Sequence, residues 1–325
     1  MKLTAVTALY DIRRESAGDG RRVSDYVAWL NRTLRFPIPF TIFLDPSIDA
    51  AGIVKKPEDT IVRLPCAELA ATRWLPEVER ICLGRDKFPS SQDLAYRLPS
   101  YEILMFSKFD FLERVARKTD ADVLVWIDAG ASRFSSWDYS TLRVREPFID
   151  QLMSKVDLAI SARHHLRDYH HGRPAPSFPG LCQTLTNGTA FMLRADAATR
   201  IRETIFRHVE TAWLPYDLWD TEQTAIGEVV LAREVTTAIV AETFNWIGLL
   251  GAIFEPSGPL PFGQRWDQND RALRRSLILR VLDVTKDWII ARYRSSKYGP
   301  PVDGVPEIIR AKSSADTGPP RVRLS

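Results

Sequence analysis

Apolar and β-branched residues run without a break from Leu3 to Leu9 and stop at the polar cluster Asp11 to Arg14, which predicts a buried first strand. After a loop containing Gly18 and Gly20, the positions Tyr26, Trp29, Leu30 and Leu34 recur at helical spacing behind Ser24, a residue suited to cap a helix, and Pro37 ends the segment. Phe40 to Leu44 and Thr60 to Leu64 read as the next two strands, with turn chemistry at Asp45, Pro46 and Pro57 between them. From Cys66 to Pro99 prolines interrupt the pattern, and short helices and loops are expected. Ser100 then stands before an amphipathic helix from Tyr101 to about Lys118, followed by a polar turn and the strand Val123 to Ile127. Further strands are predicted at Val156 to Ser161, Leu185 to Leu193 and Thr237 to Ala241, and helices at Asp196 to Thr211 and Thr221 to Arg233.

Strands alternating with helices predict an α/β sandwich with a mainly parallel sheet, in which ligands sit at the carboxyl ends of the strands. Asp11 and Asp128 fall at such ends. The composition agrees: among 325 residues, 45% are hydrophobic and 26% charged, as in a globular chain rather than a disordered one. A net charge of +3 is too small to argue for nucleic acid. The most apolar stretch, Thr243 to Phe254, is shorter than a membrane span, and the opening residues lack the longer apolar region of a signal peptide, so a cytoplasmic place is expected. Cys66, Cys82 and Cys182 form no CxxC pair, which argues against a zinc cage.

Candidate chemistry is sharpest where the strand ending at Ile127 delivers Asp128, Gly130 and Arg133 into one loop. A carboxylate, close backbone approach and a cation suit a metal diphosphate; the plainer reading is that Asp128 caps the turn and Gly130 supplies a positive φ. Tyr101, Met105 and Lys108 share one helix face, which either points Lys108 into the cleft or leaves it in solvent. Asn187-Gly188 interrupts an apolar run, marking either a ligand's approach or a bulge. Asp220 and Glu222, before Gln223, are either a catalytic base or a helix-start signal. His164, His165, His170 and His171 crowd the loop Arg163 to Arg173, where His164 or His171 either completes a metal site with Asp128 or lies in a surface loop. Trp137, Tyr139, Trp213, Tyr216 and Trp219 offer faces on which a sugar can stack, or belong to the core.

Three segments together, Thr4 to Arg13, Pro99-Ser-Tyr101 with Met105-Phe-Ser-Lys108, and Trp126-Ile-Asp-Ala-Gly-Ala-Ser-Arg133, resemble the HtrL/YibB family, assigned to bacterial GT-A-type glycosyltransferases. The resemblance spans roughly residues 3 to 245 and is strongest in the first 135. It implies a GT-A-like Rossmann-type α/β/α sandwich in which Ala8, Tyr10 and Asp11 border the nucleoside. Asp128 would take the first place of the DXD motif, whose two carboxylates usually hold Mn²⁺ or Mg²⁺ against the donor diphosphate. Gly130 replaces the second, which leaves Arg133 and Lys108 as alternative neutralising groups. Asn187 would face the acceptor sugar, with Asp220 or Glu222 as base.

The expected organisation is a nucleotide-sugar and acceptor domain over residues 1–262, a basic helical appendage over 263–300 and a flexible tail over 301–325. Residues 271–297 hold eight basic residues against Asp283 and Asp287, enough either to rest on an anionic membrane face or to stay solvated. The expected activity is hexosyl transfer from a nucleoside-diphosphate sugar to a saccharide or lipid-linked saccharide acceptor in bacterial surface polysaccharide synthesis. The alternative is a non-catalytic saccharide- or nucleotide-binding protein on the same scaffold, for which Gly130 is the best support.

Overall fold

Each central strand is apolar on both faces because each face has its own core. In β1 (Leu3–Leu9), Val6 joins one cluster while Ala5 and Leu9 join the other; in β4 (Val123–Ile127), Leu124 and Trp126 point one way and Val123, Val125 and Ile127 the other. Continuous apolar runs of this kind belong to parallel sheets covered by helices on both sides. The computed structural model describes residues 1–16, 20–83, 98–134, 138–162, 185–242 and 248–257.

With β2 (Phe40–Leu44), β3 (Thr60–Arg63), β6 (Leu158–Ala162), β7 (Ala190–Arg194) and β8 (Thr237–Glu242), these strands form a seven-stranded sheet among the described residues, ordered β3-β2-β1-β4-β7-β6-β8. All run parallel except β7, which is antiparallel to both β4 and β6. On one face lie α2 (Leu75–Leu83), α3 (Pro99–Ala116), α5 (Ala198–His208) and α6 (Glu222–Leu231); on the other lie α1 (Val23–Thr33), α4 (Glu146–Met153) and α7 (Gly248–Ile253). A short antiparallel ribbon pairs β5 (Leu142–Val144) with β9 (Phe254–Pro256). The expected Rossmann-type α/β/α sandwich with a mainly parallel sheet is the observed architecture.

Several predicted boundaries move for identifiable reasons. Helix α1 starts at Val23, so Ser24 lies inside it, and the backbone N–H of Arg22 is taken by Asp25 Oδ2 at 2.9 Å. Helix α3 begins at Pro99, whose missing N–H costs nothing in a first turn. The strand expected from Leu185 begins only at Ala190, because Thr186 to Gly188 are drawn aside against α6. The helix expected to Thr211 ends at His208 and continues as one π turn over Val209–Trp213. Trp213, Trp219 and Tyr139 are core residues, the first two packed edge-on with Phe106 and Trp74, the third stacked on Phe36 at 4.3 Å. Tyr216 is exposed. Cys182, Trp137, the four histidines of 163–173, the basic segment 271–297 and the tail lie outside the described residues. Among those described, no helix is long and apolar enough to cross a membrane.

The ring of Phe111 on α3 ties this core to the sheet, stacking on Phe43 at 4.6 Å, Tyr10 at 5.8 Å and Trp126 at 6.0 Å. Phe111→Ala removes all three contacts from a fully buried position. It is expected to lower unfolding free energy by about 3–5 kcal/mol, read from the urea midpoint at constant slope.

Candidate functional site

The chain leaves β1 toward β2 and β3 on one side, then returns to place β4 on the other, so the strand order reverses between β1 and β4. Carboxyl ends that diverge at such a switch point leave a crevice where open α/β sheets bind ligands. Here the crevice is a cavity of about 590 Å³. Its floor is Ala8 to Asp11 at the end of β1 and Trp126, Asp128, Ala129 and Gly130 at the end of β4; its walls are the segment from Ile12 to Ser16, the first turn of α1 and Tyr101, Leu104 and Met105 of α3. Among the described residues, Arg13, Arg14, Arg21, Arg22 and Arg133 line it together with the acids Asp11, Glu15 and Asp128.

Behind Asp128 lies a closed polar cluster. The Lys108 ammonium, 1% exposed, donates to Glu222 Oε1 at 2.6 Å and to the Gly188 carbonyl at 2.9 Å, and pairs with Asp128 Oδ1 at 3.1 Å. Three acceptors thus meet the three donors of one ammonium. Trp126 Nε1 donates to the same Asp128 Oδ1 at 2.7 Å, and the indole face stands 5.6 Å from the Lys108 nitrogen. Burial works against the charge on Lys108, yet Asp128 and Glu222 outweigh it and hold its pKa above the usual lysine range. Burial likewise pushes the Glu222 carboxyl up, with Lys108 opposing. A Cβ at residue 188 would run into Glu222 Oε1 and Gln223 Cγ, so only glycine lets the carbonyl reach Lys108 while Glu222 stays in place.

The predicted site residues divide between these two layers. Ala8, Tyr10, Asp11, Asp128 and Arg133 line the cavity. The Tyr10 hydroxyl is turned into the core and donates to the Leu64 carbonyl at 2.8 Å, so its backbone and ring edge form floor rather than a polar contact. Asp11 Oδ1 accepts from the Arg13 N–H at 2.9 Å. Lys108, Asn187, Asp220 and Glu222 are buried and do not line the cavity. Lys108 is neither the solvated lysine nor the cleft lysine of the sequence reading, because α3 continues inward past Tyr101 and Met105. Glu222 opens α6 with Thr221 at the cap, and Asp220 Oδ1 accepts the Thr221 N–H at 2.7 Å. Asp128 is not a simple turn cap, since Oδ1 serves Trp126 and Lys108. Gly130 has no positive φ, and a Cβ there would meet Tyr26 and Trp29 at ordinary distances of 3.6 and 3.7 Å. Neither backbone nor packing demands glycine at that point of the cavity wall.

Arg14, Arg21, Arg22 and Tyr26 were missed by the sequence reading. The signal was present, as two arginine pairs, Arg13-Arg14 and Arg21-Arg22, flanking the glycine-containing loop after the first strand. Arg14 stands over the Tyr101 ring at 4.8 Å and Arg133 over Trp29 at 5.7 Å. Arg22 pairs with Glu15 at 3.4 Å. Burial, and then the neighbouring charge of Arg21, push the Arg133 pKa down.

The described residues do not fit a divalent cation. No group of three His, Cys, Asp or Glu among them is placed to hold one. Asp128 has one oxygen committed to Lys108 and Trp126, and residue 130 brings no carboxylate.

No protein-family model matches the chain, and no curated protein matches it. The HtrL/YibB resemblance therefore rests on its motifs. Among solved structures, core-mannan synthase A from Aspergillus fumigatus, in a form with Mn and GDP, is similar to this chain with a TM-score of 0.41 and 9% identity, over 70% of this chain and 69% of that one.

Removing the ammonium leaves the buried Glu222 carboxyl without its cation, behind the Asp128 of the cavity wall. Lys108→Met is expected to cost about 3–5 kcal/mol at pH 8. In this variant folding binds protons, because the buried Glu222 carboxyl has a higher proton affinity folded than unfolded, so its stability falls as pH rises and recovers toward pH 5. Adding Glu222→Gln is expected to restore part of the loss at pH 8 and to flatten the dependence, both read from urea unfolding curves.

Proposed function

We propose that the chain is a GT-A-type glycosyltransferase that moves a sugar from a nucleoside-diphosphate donor to a saccharide acceptor, with bacterial surface polysaccharide synthesis as its setting. The observation that carries this reading is the cavity at the switch point. Its volume of about 590 Å³ is in the range of sites for ligands of nucleotide-sugar size, and it joins an apolar floor to a wall of arginines and one anchored carboxylate. Ala8, Tyr10 and Asp11 would border the nucleoside, Arg133 and its neighbours the diphosphate, and Asp128 the sugar or the diphosphate. Lys108 and Glu222 act from behind as positioning residues, fixing the rotamer of Asp128.

Asn187 and the base candidates Asp220 and Glu222 belong to the acceptor side of this proposal. Since none of them lines the donor cavity, proton removal by either carboxylate requires the acceptor to reach the far side of Asp128. What the geometry supports directly is the hold of Glu222 on Lys108, and through it on Asp128. The possibility of a non-catalytic binding protein keeps one observation in its favour, the absence of a second carboxylate at residue 130.

The reading is tested by calorimetric titration of UDP, GDP, CDP and dTDP, followed by donor hydrolysis with the matching nucleotide sugars. One nucleotide is expected to bind, and Asp128→Asn to reduce donor turnover by about a hundredfold or more through loss of a charged contact at the reacting end. If none of the four binds, the donor site is misassigned. Binding without any release of nucleoside diphosphate from its sugar would favour the non-catalytic reading.

A further inference from the structure

The turn that follows β1 carries a strained residue at the wall of the cavity. Arg13 has a φ of 54°, in the left-handed region that disfavours a side chain and that glycine occupies freely. Its neighbours hold it there from both ends. Asp11 Oδ1 accepts the Arg13 N–H at 2.9 Å, and the Ser16 hydroxyl donates to the Arg13 carbonyl at 2.8 Å. Backbone strain persists only where the surroundings impose it, and such residues gather at ligand clamps.

The fold makes no use of the side chain that this turn presents. Arg13 lines the cavity and is exposed, and among the described residues its guanidinium meets no carboxylate, carbonyl or aromatic ring. The acids beside it in sequence are engaged elsewhere, Asp11 with the Arg13 backbone and Glu15 with Arg22 at 3.4 Å. Glycine would adopt the same φ without strain, so the local backbone gives no reason for a long cationic side chain at this point.

We infer that Asp11 and Ser16 clamp Arg13 so that its guanidinium binds phosphate oxygens of the ligand in the switch-point cavity. This rests on the donor-site reading above and deepens it by naming a phosphate-holding side chain and the two residues that position it. A planar guanidinium presents paired N–H groups that match two oxygens of one phosphate. The turn lies just beyond the carboxyl end of β1, on the crevice where open α/β sheets take up their ligands. Asp11 borders the cavity and acts on the ligand through Arg13, by fixing the turn from which that side chain departs.

The test is calorimetric titration of UDP, GDP, CDP and dTDP into the full chain and three variants, with the matching nucleosides followed by saturation-transfer NMR. Arg13→Gly keeps the backbone conformation and removes the guanidinium. It is expected to weaken the diphosphate that binds by about tenfold or more, the scale of a lost charge-assisted hydrogen bond, and to change the affinity of its nucleoside by less than about twofold. Its urea midpoint is expected to stay near that of the wild type, since the fold loses no contact. Asp11→Ala is expected to weaken the diphosphate as well, and to add less than about twofold in the Arg13→Gly background, because its effect passes through Arg13. Unchanged diphosphate affinity in Arg13→Gly, an equal loss for nucleoside and diphosphate, or a large fall in that variant's urea midpoint overturns the inference and leaves the donor site standing. Full additivity of the two substitutions overturns the positioning role of Asp11. No binding of any of the four nucleotides by the wild type overturns the donor reading and this inference together.

Discussion

A single buried ammonium organises the polar half of this molecule. Lys108 comes from α3, Asp128 from the end of β4, the carbonyl of Gly188 from the approach to β7, and Glu222 from the first turn of α6. Four elements from distant parts of the chain therefore meet at one charge. In the interior such a charge is tolerable only when every donor is met, and each partner in turn needs Lys108 to offset its own burial. The cluster also ties the two halves of the sheet together, because Asp128 belongs to the β1–β4 side and Gly188 to the β7 side.

That arrangement separates two tasks that a single row of residues would otherwise share. The inner layer fixes Asp128 by Lys108 and Trp126, while the outer layer, from the arginines to the tyrosine floor, is left to meet a ligand. Tyr10 shows the same economy. Its hydroxyl and ring belong to the core through Leu64 and Phe111, while its place after β1 puts it in the cavity floor. A floor continuous with the core has little freedom to relax, which suits a site that must hold one ligand geometry.

The central strands were legible in the sequence because burial on both faces leaves an uninterrupted apolar run, and β1, β2 and β4 have the predicted bounds. The run near Asn187 was harder. Thr186 and Leu185 are as buried as strand residues, but they serve α6, Leu185 against Gly227 and Thr186 through the Gln223 carbonyl, so the apolar pattern continued while the strand had not yet begun. Lys108 was on the right helix, but a periodicity argument places a lysine on an exposed face only if the helix has one. Helix α3 is buried on nearly all sides, and the partners of Lys108 lie 20, 80 and 114 residues away. Pairings of that range are set by topology and leave no local trace.

The one antiparallel strand has a consequence for how such a molecule can vary. Because β7 runs against its neighbours, it starts at the edge of the sheet where β1, β4 and β6 finish. The chain therefore leaves the sheet at Ala162 and is next described at Leu185 on the same edge, the one that carries Asp128. With both ends fixed on one edge, by the Ala162–Thr186 bridge and the pairing of β6 with β7, the register of the seven strands and the Lys108 cluster is set by the ends alone and does not depend on the number of residues between them.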